Sequence, residues 1–292
     1  MPVVKYTDVI VKNLRFTEPV ENKMIPDITK YQLMSVPGLE IDGKSEMPQI
    51  QGPWMNLDYY GIPAKNDKQG KPYLNAAGQP LTDQQRGKVK IPFNMDDSDS
   101  KQLYDFLSAV DKKVDSEREQ IFGDAKKAKA YRYQAIVRKA VPSPDAPEDA
   151  EPRPDYFVLK LDFDNKTKAV KSKVFVNDDG ERTEIPVKSL EDVQKYLRYK
   201  CEFRPIMTIS KLYASRSSGG DGKRSFGLGL KLKMVEVRPL KQSAEETETF
   251  FIDSDGEEEE VERKQLVSET TKKEEEVSKT PAKGGRKPTK NV

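Results

Sequence analysis

Few residue types in this chain could carry out covalent or acid–base chemistry. Histidine is absent from its 292 residues, and Cys201 is the single cysteine. That removes histidine-dependent acid–base catalysis, serine and cysteine triads, disulfides within the chain and the usual Cys/His zinc sites. Without a histidine to activate it, Cys201 reads as a buried structural thiol. The Gly222-Lys223 pair does not complete a phosphate-binding P-loop, because Ser217 and Arg224 stand where a glycine and a Ser or Thr are needed. Asp253, Asp255 and Glu257 begin like a calcium loop but lack the continuation of an EF-hand. The chain therefore reads as no enzyme, with no catalytic residue, metal or cofactor, and its chemistry reduces to charge and aromatic surface.

Both concentrate in residues 195–238, which hold eleven Lys or Arg against three acids, Glu202, Asp221 and Glu236, a net of about +8 inside a chain of formal charge +2. Arg204, Lys211 and Arg216 alternate there with strand-forming Ile206, Thr208, Ile209 and Tyr213. Further on, Phe226, Leu228, Leu230, Leu232 and Met234 point one way, and Gly227, Gly229, Lys231 and Lys233 the other. The expectation is a half-buried strand whose open face, bare at two glycines and cationic at two lysines, accepts a phosphate backbone. An ordinary edge strand protected by lysines would show the same pattern. Between the halves, residues 215–224 read as a basic hairpin loop turning at Gly220, Asp221 and Gly222, with Arg216, Lys223 and Arg224 placed to meet phosphates. Trp54, Tyr59 and Tyr60, close to Lys65, add rings that either fill the core or stack on exposed bases.

These groups need a scaffold, and the pattern supplies a mainly β one. Residues 1–16 suggest a first strand, and residues 20–93 short strands joined by long loops. Residues 97–114 place Leu103, Phe106, Leu107, Val110 and Val114 on one helical face. Residues 124–140 extend this helical insertion with six further bases, Lys126, Lys127, Lys129, Arg132, Arg138 and Lys139. Residues 142–154 form a proline-rich acidic loop, and 155–163 alternate as a strand. Residues 169–176 and 181–187 pair around Asn177 to Gly180. Ser189 then caps a short helix with Glu191 and Asp192 in its first turn. Strand, hairpin, short helix and two further strands match a partly open five-stranded barrel of the OB type, with inserted helices and extended loops, over residues 1–240.

Residues 241–292 change character. Residues 245–262 contain ten acids and no base, and residues 279–290 are basic. With few large apolar groups this tail reads as disordered. It carries ten bases and fourteen acids, leaving 41 bases and 35 acids in the body, so the body is about +6 and the tail about −4. A tethered anionic segment competes with any polyanion for a cationic face, so the chain without it should bind nucleic acid more tightly. Phe250, Phe251, Ile252, Asp253, Asp255, Glu257, Glu258, Glu259 and Glu260 make a compact partner-binding motif. No run of 18 apolar residues and no apolar leader is present, so neither a membrane span nor conventional secretion is expected.

The final strands, FRPIMTISKLYAS and RSFGLGLKLKMVEVRP, and the acidic segment after them resemble the single-stranded-DNA-binding proteins of podophages and their relatives in nucleocytoplasmic large DNA viruses. The resemblance implies an OB fold that binds unpaired strands in DNA replication, recombination or repair at intracellular viral replication sites, in host nucleus or cytoplasm. It assigns DNA contact to Arg204, Lys211, Arg216, Lys223, Arg224, Lys231 and Lys233, and contact with replication proteins to residues 253–260; a homodimer stays open. In the phage pattern the acids and an aromatic end the chain, whereas here Phe250, Phe251 and Ile252 precede the acids and a basic end follows. A structural or genome-packaging virion protein, binding duplex DNA or other proteins, is the alternative reading.

Overall fold

One long antiparallel hairpin is the spine of the molecule, and shorter strands line up along both of its sides. In the computed structural model the described residues are 3–22, 32–41, 44–67, 69–75, 77–141 and 152–238, all within one compact unit, Met1–Leu240. The tail motif 250–260 lies outside them. Strands β1 (Val3–Lys5), β2 (Leu14–Phe16), β3 (Val20–Glu21), β4 (Gln32–Ser35), β5 (Pro37–Ile41), β6 (Lys44–Glu46), β7 (Gln49–Gln51) and β8 (Met55–Asn56) precede the first α-helix. Helix α1 (Asp83–Arg86) leads to β9 (Lys88–Pro92), followed by helices α2 (Ser98–Ser116), α3 (Arg118–Phe122) and α4 (Ala125–Lys129). Then come β10 (Tyr131–Gln134), β11 (Tyr156–Leu161), β12 (Lys173–Asp178), β13 (Glu181–Ile185), helix α5 (Leu190–Gln194), β14 (Glu202–Ser218) and β15 (Arg224–Arg238).

The hairpin is β14–β15. Along its free edges, β14 pairs in succession with β8, β7 and β4, and β15 with β10, β11 and β12. The outer strands β1, β3, β9 and β13 extend this into a twelve-stranded sheet, beside a second sheet of β2, β5 and β6. The fold is mainly β as expected, and among the described residues the path from β1 to β9 stays open, so the sheet is larger than the partly open five-stranded barrel expected and is not a closed one. Each spine strand is far longer than its neighbours and is flanked by three of them in turn, which spreads the pairing along the hairpin and away from a small ring.

The register of the spine shifts three times, once near the turn between Ala214↔Phe226 and Ser218↔Arg224 and twice at single-residue bulges along its length. Lys233 is extra on β15 between the pairs Ile206↔Met234 and Met207↔Leu232, and Ser210 is extra on β14 between Ile209↔Leu230 and Lys211↔Gly229. A bulge reverses the side-chain alternation beyond it. Phe226, Leu230 and Leu232 are buried as the alternation requires, but past Lys233 the core takes Val235 and Val237, and Met234 is only partly buried.

Helix α2 forms where its apolar spacing predicts. The Asp97 carboxylate caps it by accepting the Ser100 amide at 2.9 Å, and Leu103, Leu107, Val110 and Val114 are buried beneath it. The basic run after it is helical only over Ala125–Lys129. From Tyr131 the alternation of Tyr131 and Tyr133 with Arg132 and Gln134 has period two, and β10 joins the edge of β15 instead. Ser189 caps α5 as expected, and Asp192 returns the bond in a reciprocal box. Arg86, almost fully buried, ties α1 to α5 through Asp83 and Glu191 at 3.2 Å and Gln194 at 3.3 Å. No helix among the described residues is long and apolar enough to cross a membrane.

Candidate nucleic-acid interface

The outward face of β9, β11 and β15 carries a lateral row of three lysines. Lys160 lies directly opposite Lys88 on one neighbouring strand and Lys231 on the other. Adjacent strands are about 4.8 Å apart, so three like charges sit side by side, an arrangement that costs stability. Lys211 joins from β14 opposite Gly229, Lys90 from β9 opposite Val158, and Arg138 from the bridge to Tyr156. Their alternate neighbours, Val89, Ile91, Phe157, Leu159, Leu161, Leu230 and Leu232, are core, which is why the charges share one face.

Carboxylates are scarce here. Asp162 takes Lys231 at 2.9 Å and Lys233 at 2.7 Å; its own burial opposes its charge, but the two lysine hydrogen bonds outweigh this and hold its carboxyl below the usual range. Among the described residues Lys88, Lys90, Arg138, Lys160 and Lys211 have no carboxylate partner. The Lys160 side chain keeps contact with solvent, yet its ammonium is crowded by the surrounding protein. Lost hydration first, and then the charges of Lys88, Lys211, Arg138 and Lys231, push its pKa down to about 8. Lys211 is lowered too, by lost hydration and then by Lys231.

Tyrosines border the cluster. Lys160 Nζ lies 5.9 Å from the Tyr213 ring centre, and Lys90 Nζ is 5.3 Å from Tyr156 and 5.8 Å from Tyr60. Tyr60 and Tyr156 pack at 4.9 Å, and Tyr59 continues the group 6.4 Å from Tyr60, 47% exposed. Tyr213 donates to Gln134 Oε1 at 3.0 Å. On either side of Gln134 the chain is held by buried Asp111, which accepts Tyr133 Oη at 2.7 Å and the amides of Ile136 at 2.8 Å and Val137 at 3.1 Å. Burial raises the Asp111 carboxyl above its ordinary pKa despite these three bonds.

The glycine pair plays a different part from the bare platform expected. Gly227 and Gly229 are buried. A Cβ on Gly227 would stand 2.8 Å from the Gln134 carbonyl oxygen and 3.2 Å from Tyr213 Oη; one on Gly229 would stand 3.2 Å from Ser210 Oγ and close to Lys211. The missing side chains let β10 approach and let Tyr213 and Lys211 lie across β15.

Lys211, Tyr213 and Lys231 therefore meet in one cluster, with Lys233 sharing the Asp162 anchor of Lys231. Arg204 sits apart, roughly 15 Å along the strand. It is bonded to Glu236, which also takes Arg182 at 2.7 Å and Asn177 at 2.5 Å. Its guanidinium is 4.9 Å from the Trp54 ring centre and that of Arg238 is 4.0 Å, so Trp54 is occupied by arginines. Arg216 pairs with Glu21 at 2.5 Å, Arg224 lies 5.8 Å over Tyr131, and Lys223 is in the hairpin turn; Arg216 and Arg224 line a cleft at the hairpin's far end. Cys201 is buried, and lost hydration pushes its thiol up to about 11. Among the described residues, no group of three or more Cys, Asp or Glu is arranged to hold a metal ion.

Lys88, Lys90, Arg138, Lys160 and Tyr156 are absent from the set marked in the sequence. KVKIP alternates as cleanly as any strand in the chain, and residues 155–163 were recognisable as one. The signal lay in their polar positions; what the sequence withholds is that three distant strands set them side by side.

No family model matches the chain, and a search of curated proteins finds no match. Among solved structures, gp2.5, a single-stranded DNA binding protein encoded by bacteriophage T7, aligns over 72% of this chain and 98% of its own, with 12% sequence identity and a TM-score of 0.34. A likeness that low leaves the functional reading to the geometry of the site.

Proposed function

We propose that the outer face of β9, β11, β15 and β14 binds single-stranded DNA, with no catalytic step. The observation that carries the proposal is the Lys88–Lys160–Lys231 row with Lys90, Lys211 and Arg138 around it, with little counter-charge among the described residues and edged by tyrosines. A fold gains nothing by gathering like charges without acids, and a phosphate chain supplies the missing anions. Tyr213, Tyr156, Tyr60 and exposed Tyr59 supply ring surface for unpaired bases, each stack contributing about 1–3 kcal/mol. The resemblance carried by the two spine strands extends the proposal to protection of unpaired strands in viral-type replication, recombination or repair, with the acidic motif 250–260 contacting replication proteins.

The test is fluorescence anisotropy of a labelled short single strand against the whole chain. Lys160→Ala with Lys211→Ala should weaken binding at least tenfold and reduce the salt slope by about 0.7 per lysine lost. Tyr213→Ala should weaken it with the salt slope unchanged. Single-strand affinity unaffected by the double lysine change would remove this face from the function.

A further inference from the structure

At the far end of the hairpin lies a second cationic surface, separate in composition from the sheet face. It is a cleft of about 1420 Å³ whose walls come from three parts of the chain. The N-terminal segment contributes Lys12 and Arg15, and the hairpin end contributes Arg216 and Arg224. The helical insertion contributes Lys113, Lys126 and Lys127, and the lining acids among the described residues are Glu18 and Glu117. The cleft is larger than the roughly 300–1,000 Å³ typical of small-molecule sites, which suits a polymer.

Its cations are partly committed. Lys113 pairs firmly with Glu117 at 2.6 Å and Arg216 with Glu21 at 2.5 Å, whereas Arg15 with Glu40 at 3.8 Å and Lys127 with Asp124 at 3.7 Å are exposed pairs of the kind that exchange readily with solvent. Lys12, Lys126 and Arg224 have no carboxylate partner among the described residues. The aromatic rings are committed more firmly. Phe122 and Tyr131 stack on each other at 4.1 Å and are buried, Phe226 packs edge-on to Phe122 at 5.3 Å, and the Arg224 guanidinium lies over Tyr131. The cleft thus offers charge with little ring surface left for a base.

Charge without stacking favours the ligand of highest charge density. Duplex DNA carries about one negative charge per 1.7 Å of axis, more than a single strand or an acidic peptide can present. We infer that this cleft binds the phosphate backbone of duplex DNA, so that the protein engages a single strand on its sheet face and a duplex arm at the hairpin end. The inference rests on the proposed single-strand function for the joint ligand, but the duplex contact stands on the cleft alone.

The experiment uses the whole chain with three labelled DNAs: a short single strand, a blunt duplex, and the duplex bearing that strand as an overhang. The overhang ligand should bind at least tenfold tighter than the single strand. Lys12→Ala with Lys126→Ala and Lys127→Ala, all exposed positions, should abolish that gain, lower the salt slope for duplex by about 2–3, and leave single-strand affinity within twofold. Charge reversal by Lys126→Glu with Lys127→Glu should act in the same direction, with thermal midpoints confirming the fold of both variants. Unchanged duplex binding in the variants, or equal losses for single strand and duplex, overturns the inference. So does loss of a glutamate-rich peptide with duplex binding intact, which would assign the cleft to an acidic protein. Failure of the single-strand reading shows separately, as indifference of the single strand to Lys160→Ala with Lys211→Ala.

Discussion

Raising the pH from 7 to 9 should weaken single-strand binding about tenfold, and Lys160 is the reason. Its pKa in the free protein is about 8, against an ordinary lysine value of 10.5. A phosphate beside it restores the charged form, so the complex holds a proton that the free protein loses between about pH 8 and 10.5, and affinity falls as pH rises through that window. Near pH 7 about nine-tenths of free protein already carries the charge; at pH 9 about one-tenth does, hence the factor of about ten. Lys211, lowered in the same sense, adds to the effect. Tyr213 and Cys201 do not blur it, since burial raises both away from the window. The assay is anisotropy of an adenine oligonucleotide at constant ionic strength across pH 7–9, on the native chain and on Lys160→Arg, whose guanidinium stays charged throughout. A steep native curve and a nearly flat variant are expected. A flat native curve, or equal slopes in the two, would refute the assignment. Stability of the free protein should move the opposite way, rising with pH through the same window, because there the unfolded chain binds the proton that the folded one does not. With solvent screening at an exposed side chain, Lys160→Met should gain no more than about 1 kcal/mol at pH 7.

Three further outcomes follow from the packing. Gly227→Ala places a methyl group 2.8 Å from the Gln134 carbonyl oxygen, and should cost about 1–3 kcal/mol in denaturant unfolding and weaken single-strand binding by displacing Tyr213. Asp111→Ala strands the Ile136 and Val137 amides and the Tyr133 hydroxyl, for a loss of about 3 kcal/mol; Asp111→Asn, which keeps one acceptor, should lose less. Arg86→Ala removes a buried guanidinium and its bonds to Asp83, Glu191 and Gln194; the two carboxylates left behind are half exposed and stay hydrated, so the cost in thermal or denaturant unfolding should be about 1.5–3 kcal/mol, with affinity per folded molecule unchanged.

Local patterns were readable wherever the chemistry acts between near neighbours. The α2 face, its Asp97 cap, the Ser189 cap, the turn at residues 219–222 and the alternation of β11 and β15 all follow from spacing within a few residues. So does the basic character of the spine, and with it three members of the sheet-face cluster, Lys211, Tyr213 and Lys231. Register is another matter, because it is set by which edges meet and by bulges that leave no mark in composition. One extra residue, Lys233, exchanges Met234 for Val235 in the core. A parallel pairing of two residue pairs sets Lys160 beside Lys231, and an antiparallel one brings in Lys88. Arg204 and Trp54 looked like ligand groups by type, and only the fold engages Arg204 with Glu236 and Trp54 with Arg204 and Arg238. Sequence by itself determined that this protein is a cationic, mainly β chain without histidine or disulfide chemistry. Tertiary structure decided which cations are neutralised and which are left facing outward together, since the distance between two charges depends on strand pairing and not on their separation along the chain.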